Sequence, residues 1–142
     1  MREHIEAGVA HAFDACGSEP TVVVGHSFGS IVAFRMLRAG GRITCPVRAL
    51  ITVGSPLGIG AVRRALEPIG HPPLVRSWQN AFDERDVVAL HPLDDVHFPV
   101  VPGIRNHGDV RNESDNHHKI EGYLTDPTVA GWLADALHPD TD

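Results

Sequence analysis

Cysteine is scarce in this sequence, which contains only Cys16 and Cys45. Two thiols cannot build a disulfide framework, and their spacing does not match the paired cysteines of a zinc site. Nothing in the cysteine content indicates an oxidising compartment, so we expect the protein to lie in the reducing cytoplasm.

Long apolar runs are also missing. No stretch approaches the roughly 18 apolar residues that a membrane-spanning helix needs. The opening residues, Met-Arg-Glu-His-Ile-Glu, are too polar for a secretory signal. We therefore expect neither export nor a transmembrane segment.

Clusters of basic residues are absent as well. The formal net charge is −6, and the basic side chains are scattered along the chain. Nucleic acid and anionic membrane surfaces are therefore not expected as partners. The ten histidines show no His-Glu-x-x-His or similar ligand spacing, so we expect no metal site and no cofactor.

The composition that remains is that of an ordinary soluble globular protein. The chain has 142 residues, of which 42% are hydrophobic and 21% are charged. This length supports a single domain, residues 1–142, with its own core. Residues 139–142, Pro-Asp-Thr-Asp, are expected to form a frayed tail.

The most informative stretch runs from a β-branched strand into a helix. Val22, Val23 and Val24 form a short run typical of a buried strand, and helical spacing of apolar residues begins at Phe28. Between them lies Gly25-His26-Ser27-Phe28-Gly29, which matches the Gly-x-Ser-x-Gly motif. The motif follows a predicted strand and precedes a predicted helix, and only in this context does it indicate a nucleophilic serine.

The chemistry of this turn follows from its shortness. A strand that becomes a helix within so few residues strains the backbone at Ser27, and we expect Gly25 and Gly29 to remove side chains that would collide with neighbouring elements. Ser27 would then be exposed on the tip as a nucleophile. The N–H of Phe28, at the helix N-terminus, could donate to an oxyanion.

Apolar patterns elsewhere predict an α/β architecture. Two apolar strands joined by a helix imply a right-handed crossover and a parallel sheet of about three to four strands flanked by helices. The other predicted elements are an amphipathic helix at 3–16, a strand at 47–53, a helical stretch at 61–66, strands at 75–82 and 109–112, and a final helix from Pro127 capped by Thr125 or Asp126.

Residues 22–29 resemble the nucleophile elbow of the α/β-hydrolase superfamily, and later segments resemble its bacterial esterase and lipase-like members. The resemblance implies a parallel sheet of the doubly wound type and a serine nucleophile at Ser27. It covers that fold from the elbow onward, which implies that the N-terminal strands are lacking. The elbow strand would then form a sheet edge open to self-association or to a partner, and the source of a second oxyanion donor is left open.

A catalytic serine of this family needs an acid and a base in the order Ser, Asp, His. Asp83 and Asp86 both follow the predicted third strand, and the pattern Asp-x-x-Asp-x-Val-Ala resembles lipase-like sequences in which the second aspartate serves the histidine. We therefore prefer Asp86 and keep Asp83 as the alternative. A histidine followed by Ile, then Gly-Tyr-Leu and Asp-Pro, resembles the catalytic-histidine loop of bacterial esterase-like sequences. This resemblance implies His118 as the base, and His117 is the alternative.

Two further points stay open at the level of sequence. Ser55 is a rival nucleophile, although Pro56 blocks the helix that should follow it. Residues 57–76 form either a connecting helix with a proline-rich exit, which we prefer, or a lid.

The resemblance favours hydrolysis of a small-molecule carboxylic ester through an acyl-enzyme. A non-catalytic interaction or regulatory module, or an acyltransferase using the same triad, is the alternative.

Overall fold

The computed structural model describes residues 1–139; positions 140–142 of the predicted tail lie outside the described residues. The helices are α1 (Arg2–Cys16), α2 (Phe28–Leu37), α3 (Gly60–Leu66), α4 (Ile120–Leu124) and α5 (Pro127–Leu137), with single 3-10 turns at Pro56–Gly58 and Asp115–His117. The strands are β1 (Thr21–His26), β2 (Val47–Val53), β3 (Trp78–Ala81) and β4 (Arg105–His107).

The strands form one parallel sheet in the order β1-β2-β3-β4. This arrangement confirms the predicted α/β class, and β2 has the predicted bounds. Within the described residues β1 pairs only with β2, so the strand that precedes Ser27 lies at an edge of the sheet.

Helices cover both faces of the sheet. On one face α2 and the segment around α3 bury an aromatic cluster of Phe34, Trp78 and Phe98, whose ring centroids lie 5.3–5.9 Å apart. On the other face α4 and α5 pack against β1 and β2 through residues such as Tyr123 and Val129. This two-sided packing holds the carboxyl ends of all four strands on one side of the molecule.

The outer helices follow the predicted pattern. α1 lies at the surface with none of its residues fully buried, and its apolar side packs against the aromatic face through Val9 and Phe13. Asp126 caps α5 by accepting hydrogen bonds from the N–H groups of Thr128 and Val129, at 2.9 and 3.1 Å.

The segment at 57–76 packs as a connection. Leu57 and Leu66 are buried in the aromatic face, and Arg38, which follows α2, donates to the carbonyl of Leu66 at 3.0 Å. These contacts favour the connecting helix over a lid.

Two predicted strands need correction. The third strand is shorter than residues 75–82, because only Trp78–Ala81 pairs continuously with β2, and Val75 forms an isolated bridge. The strand predicted at 109–112 is wrong: Asp109 makes one antiparallel bridge to Asp83, and the last strand of the sheet is β4. Polar side chains stabilise β4, since Asn80 donates to Asn106 across the pair at 3.0 Å.

Candidate active site

Ser27 lies at the junction of β1 and α2 in a strained backbone conformation. Its φ of 54° and ψ of −126° fall outside the regions that residues with a side chain favour. Such a conformation costs about 1–3 kcal/mol and persists only when surrounding contacts enforce it. Here the Ser27 N–H donates to Val53 of β2 at 3.1 Å, and Ser30 donates to the Ser27 carbonyl through its N–H at 3.0 Å and its hydroxyl at 2.6 Å.

Only one of the two motif glycines is needed for space. A Cβ on Gly25 would lie 2.8 Å from the Cα of Ser30, so this position tolerates no side chain without a backbone shift. A Cβ on Gly29 would meet no described atom within 4 Å. The expectation that Gly29 avoids a collision is therefore wrong for the described residues, because Gly29 lies on the exposed side of α2.

The predicted serine, histidine and aspartate meet at the carboxyl ends of the strands. The Ser27 hydroxyl lies 2.9 Å from Nε2 of His118, and Nδ1 of His118 lies 2.8 Å from Oδ2 of Asp86. Ser27 follows β1, Asp86 lies in the turn after β3, and His118 shortly precedes α4. We call Ser27, His118 and Asp86 the triad.

Gly54, at the end of β2, makes room for this meeting. It has a positive φ of 56°, and a Cβ there would lie 3.0 Å from the Tyr123 ring, 3.1 Å from Asp86 Oδ2 and 3.2 Å from His118. A side chain at Gly54 would therefore crowd the tyrosine, the aspartate and the histidine at once, on a backbone conformation that favours glycine.

The alternative aspartate is engaged elsewhere. Asp83 is buried and forms a two-pronged ion pair with Arg85, at 3.0 and 2.7 Å, and it accepts the N–H of Asn112 at 2.7 Å. The Arg85 hydrogen bonds are the main cause that lowers the pKa of Asp83 to about 2. Asp83 thus ties the loop after β3 to the histidine loop.

The alternative histidine and the alternative serine also point to structural partners. His117 donates from Nδ1 to the carbonyl of Asn112 at 2.7 Å. Ser55 is 2% exposed, and its hydroxyl donates to Ser30 at 2.7 Å while accepting the N–H of Leu57 at 3.2 Å. Ser55 therefore supports the elbow through Ser30 and is not presented as a nucleophile.

Two neighbours of the triad have roles that the motifs did not reveal. His26, inside the elbow motif, donates from Nε2 to the carbonyl of His118 at 2.6 Å and so links β1 to the histidine loop. The hydroxyl of Tyr123 donates to Asp86 Oδ2 at 2.5 Å. The Gly-Tyr-Leu stretch marks the histidine loop in the sequence, but it gives no sign of this bond.

Both carboxylate oxygens of Asp86 accept hydrogen bonds. Asp86 is 1% exposed, and its Oδ1 accepts the N–H of Val88 at 2.9 Å while its Oδ2 faces His118 and Tyr123. Burial, followed by the hydrogen bond to Asp86, raises the pKa of the Tyr123 hydroxyl well above its usual range. The tyrosine therefore stays protonated and remains a donor.

The serine side of the site is open and carries one candidate oxyanion donor. Phe28 is the first residue of α2, and a first-turn N–H has no partner within its helix. The Phe28 side chain is 54% exposed beside Ser27.

Residues 1–139 contain no group of three or more side chains suited to holding a metal ion. None of the described helices has the length and apolar character to cross a bilayer.

The comparison with known families agrees with this arrangement. A family model described as the alpha/beta hydrolase family matches residues 2–140, which is nearly the whole chain. No curated protein and no solved structure gives a significant match. The chain therefore belongs to the alpha/beta hydrolase family: the match shows it, and the parallel sheet and the strand-to-helix turn at Ser27 agree with it.

Proposed function

We propose that the protein is a serine hydrolase that cleaves carboxylic esters through an acyl-enzyme. The observation that carries the proposal is the continuous set of hydrogen bonds from Ser27 through His118 to Asp86, 2.9 and 2.8 Å long, with the serine on a strained turn. This is the geometry that turns a weakly nucleophilic hydroxyl into an attacking group.

Each residue has a defined part in the reaction. Nε2 of His118 takes the Ser27 proton as Oγ forms a bond to the ester carbonyl carbon, and the same nitrogen then gives that proton to the departing alcohol. His118 then removes a proton from a water molecule as the water oxygen bonds to the acyl carbon, and it returns that proton to Ser27 Oγ as the bond from Oγ to the acyl carbon breaks and the acid is released. Asp86 holds the Nδ1–H tautomer and stabilises the imidazolium.

The oxyanion of the tetrahedral intermediate needs donors that do not move during the reaction. The Phe28 N–H and the positive end of α2 supply one such donor next to Ser27. Loss of a single oxyanion donor lowers kcat by about 10²- to 10³-fold, so one donor supports slow turnover and a second would accelerate it.

Hydrolysis of a short-chain p-nitrophenyl ester tests the proposal. We expect the wild-type protein to hydrolyse the ester. In Ser27→Ala the rate of hydrolysis should fall to that of the uncatalysed reaction. Ser77→Ala is the matched control and should keep the wild-type rate, because the Ser77 hydroxyl donates to the carbonyl of Arg48, away from Ser27.

Equal turnover in the wild type and Ser27→Ala would contradict the proposal, and so would the absence of turnover in a folded wild-type protein. The second result would favour the non-catalytic module. Product analysis with a competing alcohol separates ester hydrolysis from acyl transfer.

A further inference from the structure

Asp86 shares one oxygen between two donors. Its Oδ2 accepts Nδ1–H of His118 at 2.8 Å and the hydroxyl of Tyr123 at 2.5 Å. The tyrosine lies on α4, only a short way after the histidine, so the two donors reach the aspartate from one continuous segment. The hydroxyl is therefore placed to influence the group that orients the base.

The direction of the tyrosine proton is fixed by a second contact. The backbone N–H of Asp83 donates to the Tyr123 oxygen at 3.2 Å. A phenol has one proton, and an N–H cannot accept it, so the proton must point to the carboxylate of Asp86. The tyrosine is 0% exposed, so this bond is shielded from bulk solvent.

We propose that the Tyr123 hydroxyl is a positioning group of the triad, which holds Asp86 Oδ2 in line with His118 and withdraws part of its negative charge. This inference rests on the proposed function. Tyr123 does not act on Ser27 directly; it acts through Asp86.

A change in the negative charge on Asp86 should change the protonation equilibrium of His118. The more negative charge Asp86 presents to His118, the more the imidazolium is stabilised. Removal of the hydroxyl should therefore shift the titration of His118 to higher pH, and a stronger phenol donor should shift it to lower pH. The titratable or charged groups around the His118–Asp86 contact are His26 on the β1–α2 turn, Asp83 with its partner Arg85 on the loop after β3, and Tyr123 on α4.

The chain allows both changes to be made at one site. Tyr123 is the single tyrosine of the sequence, so growth on 3-fluorotyrosine alters this hydroxyl alone. Fluorine makes the phenol a stronger donor with little change in shape. Tyr123→Phe removes the hydroxyl and keeps the ring.

The readout is an NMR titration of histidine side chains, which requires no turnover. We expect the midpoint of His118 to move to higher pH in Tyr123→Phe and to lower pH in the fluorotyrosine protein. In the ester assay kcat should fall about tenfold in Tyr123→Phe with KM unchanged, which is less than the roughly 10²-fold loss for a 1 Å misplacement.

Thr52→Val is the matched control for a purely structural role. Thr52 is buried on β2, and its hydroxyl bonds Asn80 and Trp78 at 2.8 and 3.1 Å, away from Asp86. This variant should lose stability while the His118 midpoint and kcat stay at the wild-type values.

An unchanged His118 midpoint in both Tyr123 proteins would overturn the inference, as would a shift of the same sign in both. If Tyr123→Phe does not fold, the fluorotyrosine protein decides alone. If the wild type shows no ester turnover, the proposed function fails, whereas the NMR shifts still report on the tyrosine.

Discussion

At the scale of single residues, the turn at Ser27 depends on the close approach of Gly25 to Ser30. The 2.8 Å separation between a methyl carbon added at Gly25 and the Ser30 Cα involves backbone, which cannot swing away as a side chain can. The buried hydroxyl of Ser30 also holds the Ser27 carbonyl. Gly25 and Ser30 together keep the serine in its strained conformation.

We expect Gly25→Ala to lower the free energy of unfolding by about 1–3 kcal/mol, because overpacking forces the backbone to shift. Gly29→Ala is the matched control: its Cβ meets nothing within 4 Å, and in the first turn of α2 alanine should raise the free energy of unfolding by less than about 1 kcal/mol. Urea denaturation of both variants measures the difference. If the two alanine variants change the free energy of unfolding by similar amounts, the close approach of Gly25 to Ser30 does not contribute to stability.

Asp83 gives the protein an acid-sensitive contact outside the triad. Its pKa of about 2 in the folded state lies below the usual value of 3.8. A lowered pKa stabilises the fold above the unfolded-state value, and this contribution is lost as the pH falls from about 4 through 2. The partner Arg85 is 46% exposed, so solvent screening reduces the contribution to about 1–2 kcal/mol.

Asp83→Asn should therefore reduce the free energy of unfolding at pH 7, and its difference from the wild type should shrink as the pH falls from 5 to 2. Denaturation at a series of pH values tests this trend. Glu113→Gln is the control, since Glu113 is exposed and lies 3.4 Å from Arg85. A difference that does not change with pH would assign the role of Asp83 to uncharged hydrogen bonds.

At the scale of elements, β1 is one of the two edge strands of the sheet in residues 1–139, and β4 is the other. The N–H of Ser27 points to β2, so the two-residue alternation of a strand turns the N–H groups of Val22, Val24 and His26 away from the sheet. Unpaired strand edges pair readily with other chains. We therefore expect a second copy of the chain to pair along β1.

Val24→Pro tests this pairing, because proline removes an outward donor and spares the hydrogen bonds to β2. We expect sedimentation to show concentration-dependent association of the wild type and a monomer for Val24→Pro. Val24→Thr keeps both the N–H and the β-branched shape and should behave as the wild type. A wild-type monomer at all concentrations would rule out the edge as a self-association surface.

The elements also differ in how far the sequence predicts them. β2 and the β1–α2 turn are predictable because their signals are local: apolar runs, two glycines and a serine within a few residues. β4 carries no such signal, since Arg105, Asn106 and His107 are polar, and a side-chain hydrogen bond from Asn80 to Asn106 adds to its backbone pairing.

At the scale of the whole molecule, the site is assembled from segments far apart in the chain. The Tyr123–Asp86 bond spans 37 positions and the His118–Ser27 contact spans 91, so no local pattern could reveal either distance. The resemblance to α/β-hydrolases points to Asp86 and His118 through chain order and through two local patterns, Asp-x-x-Asp-x-Val-Ala and the Gly-Tyr-Leu that follows the histidine. It does not reveal Gly54 or Tyr123, whose importance follows only from how closely the loops approach each other.

The proposed chemistry depends above all on Ser27 being the nucleophile. The most direct measurement is to treat the folded protein with a fluorophosphonate and locate the adduct by peptide mass spectrometry. We predict one adduct, on Ser27, that is absent from Ser27→Ala and forms much more slowly in His118→Ala. An adduct on another residue, or no adduct on the folded wild-type protein, would contradict the assignment of Ser27.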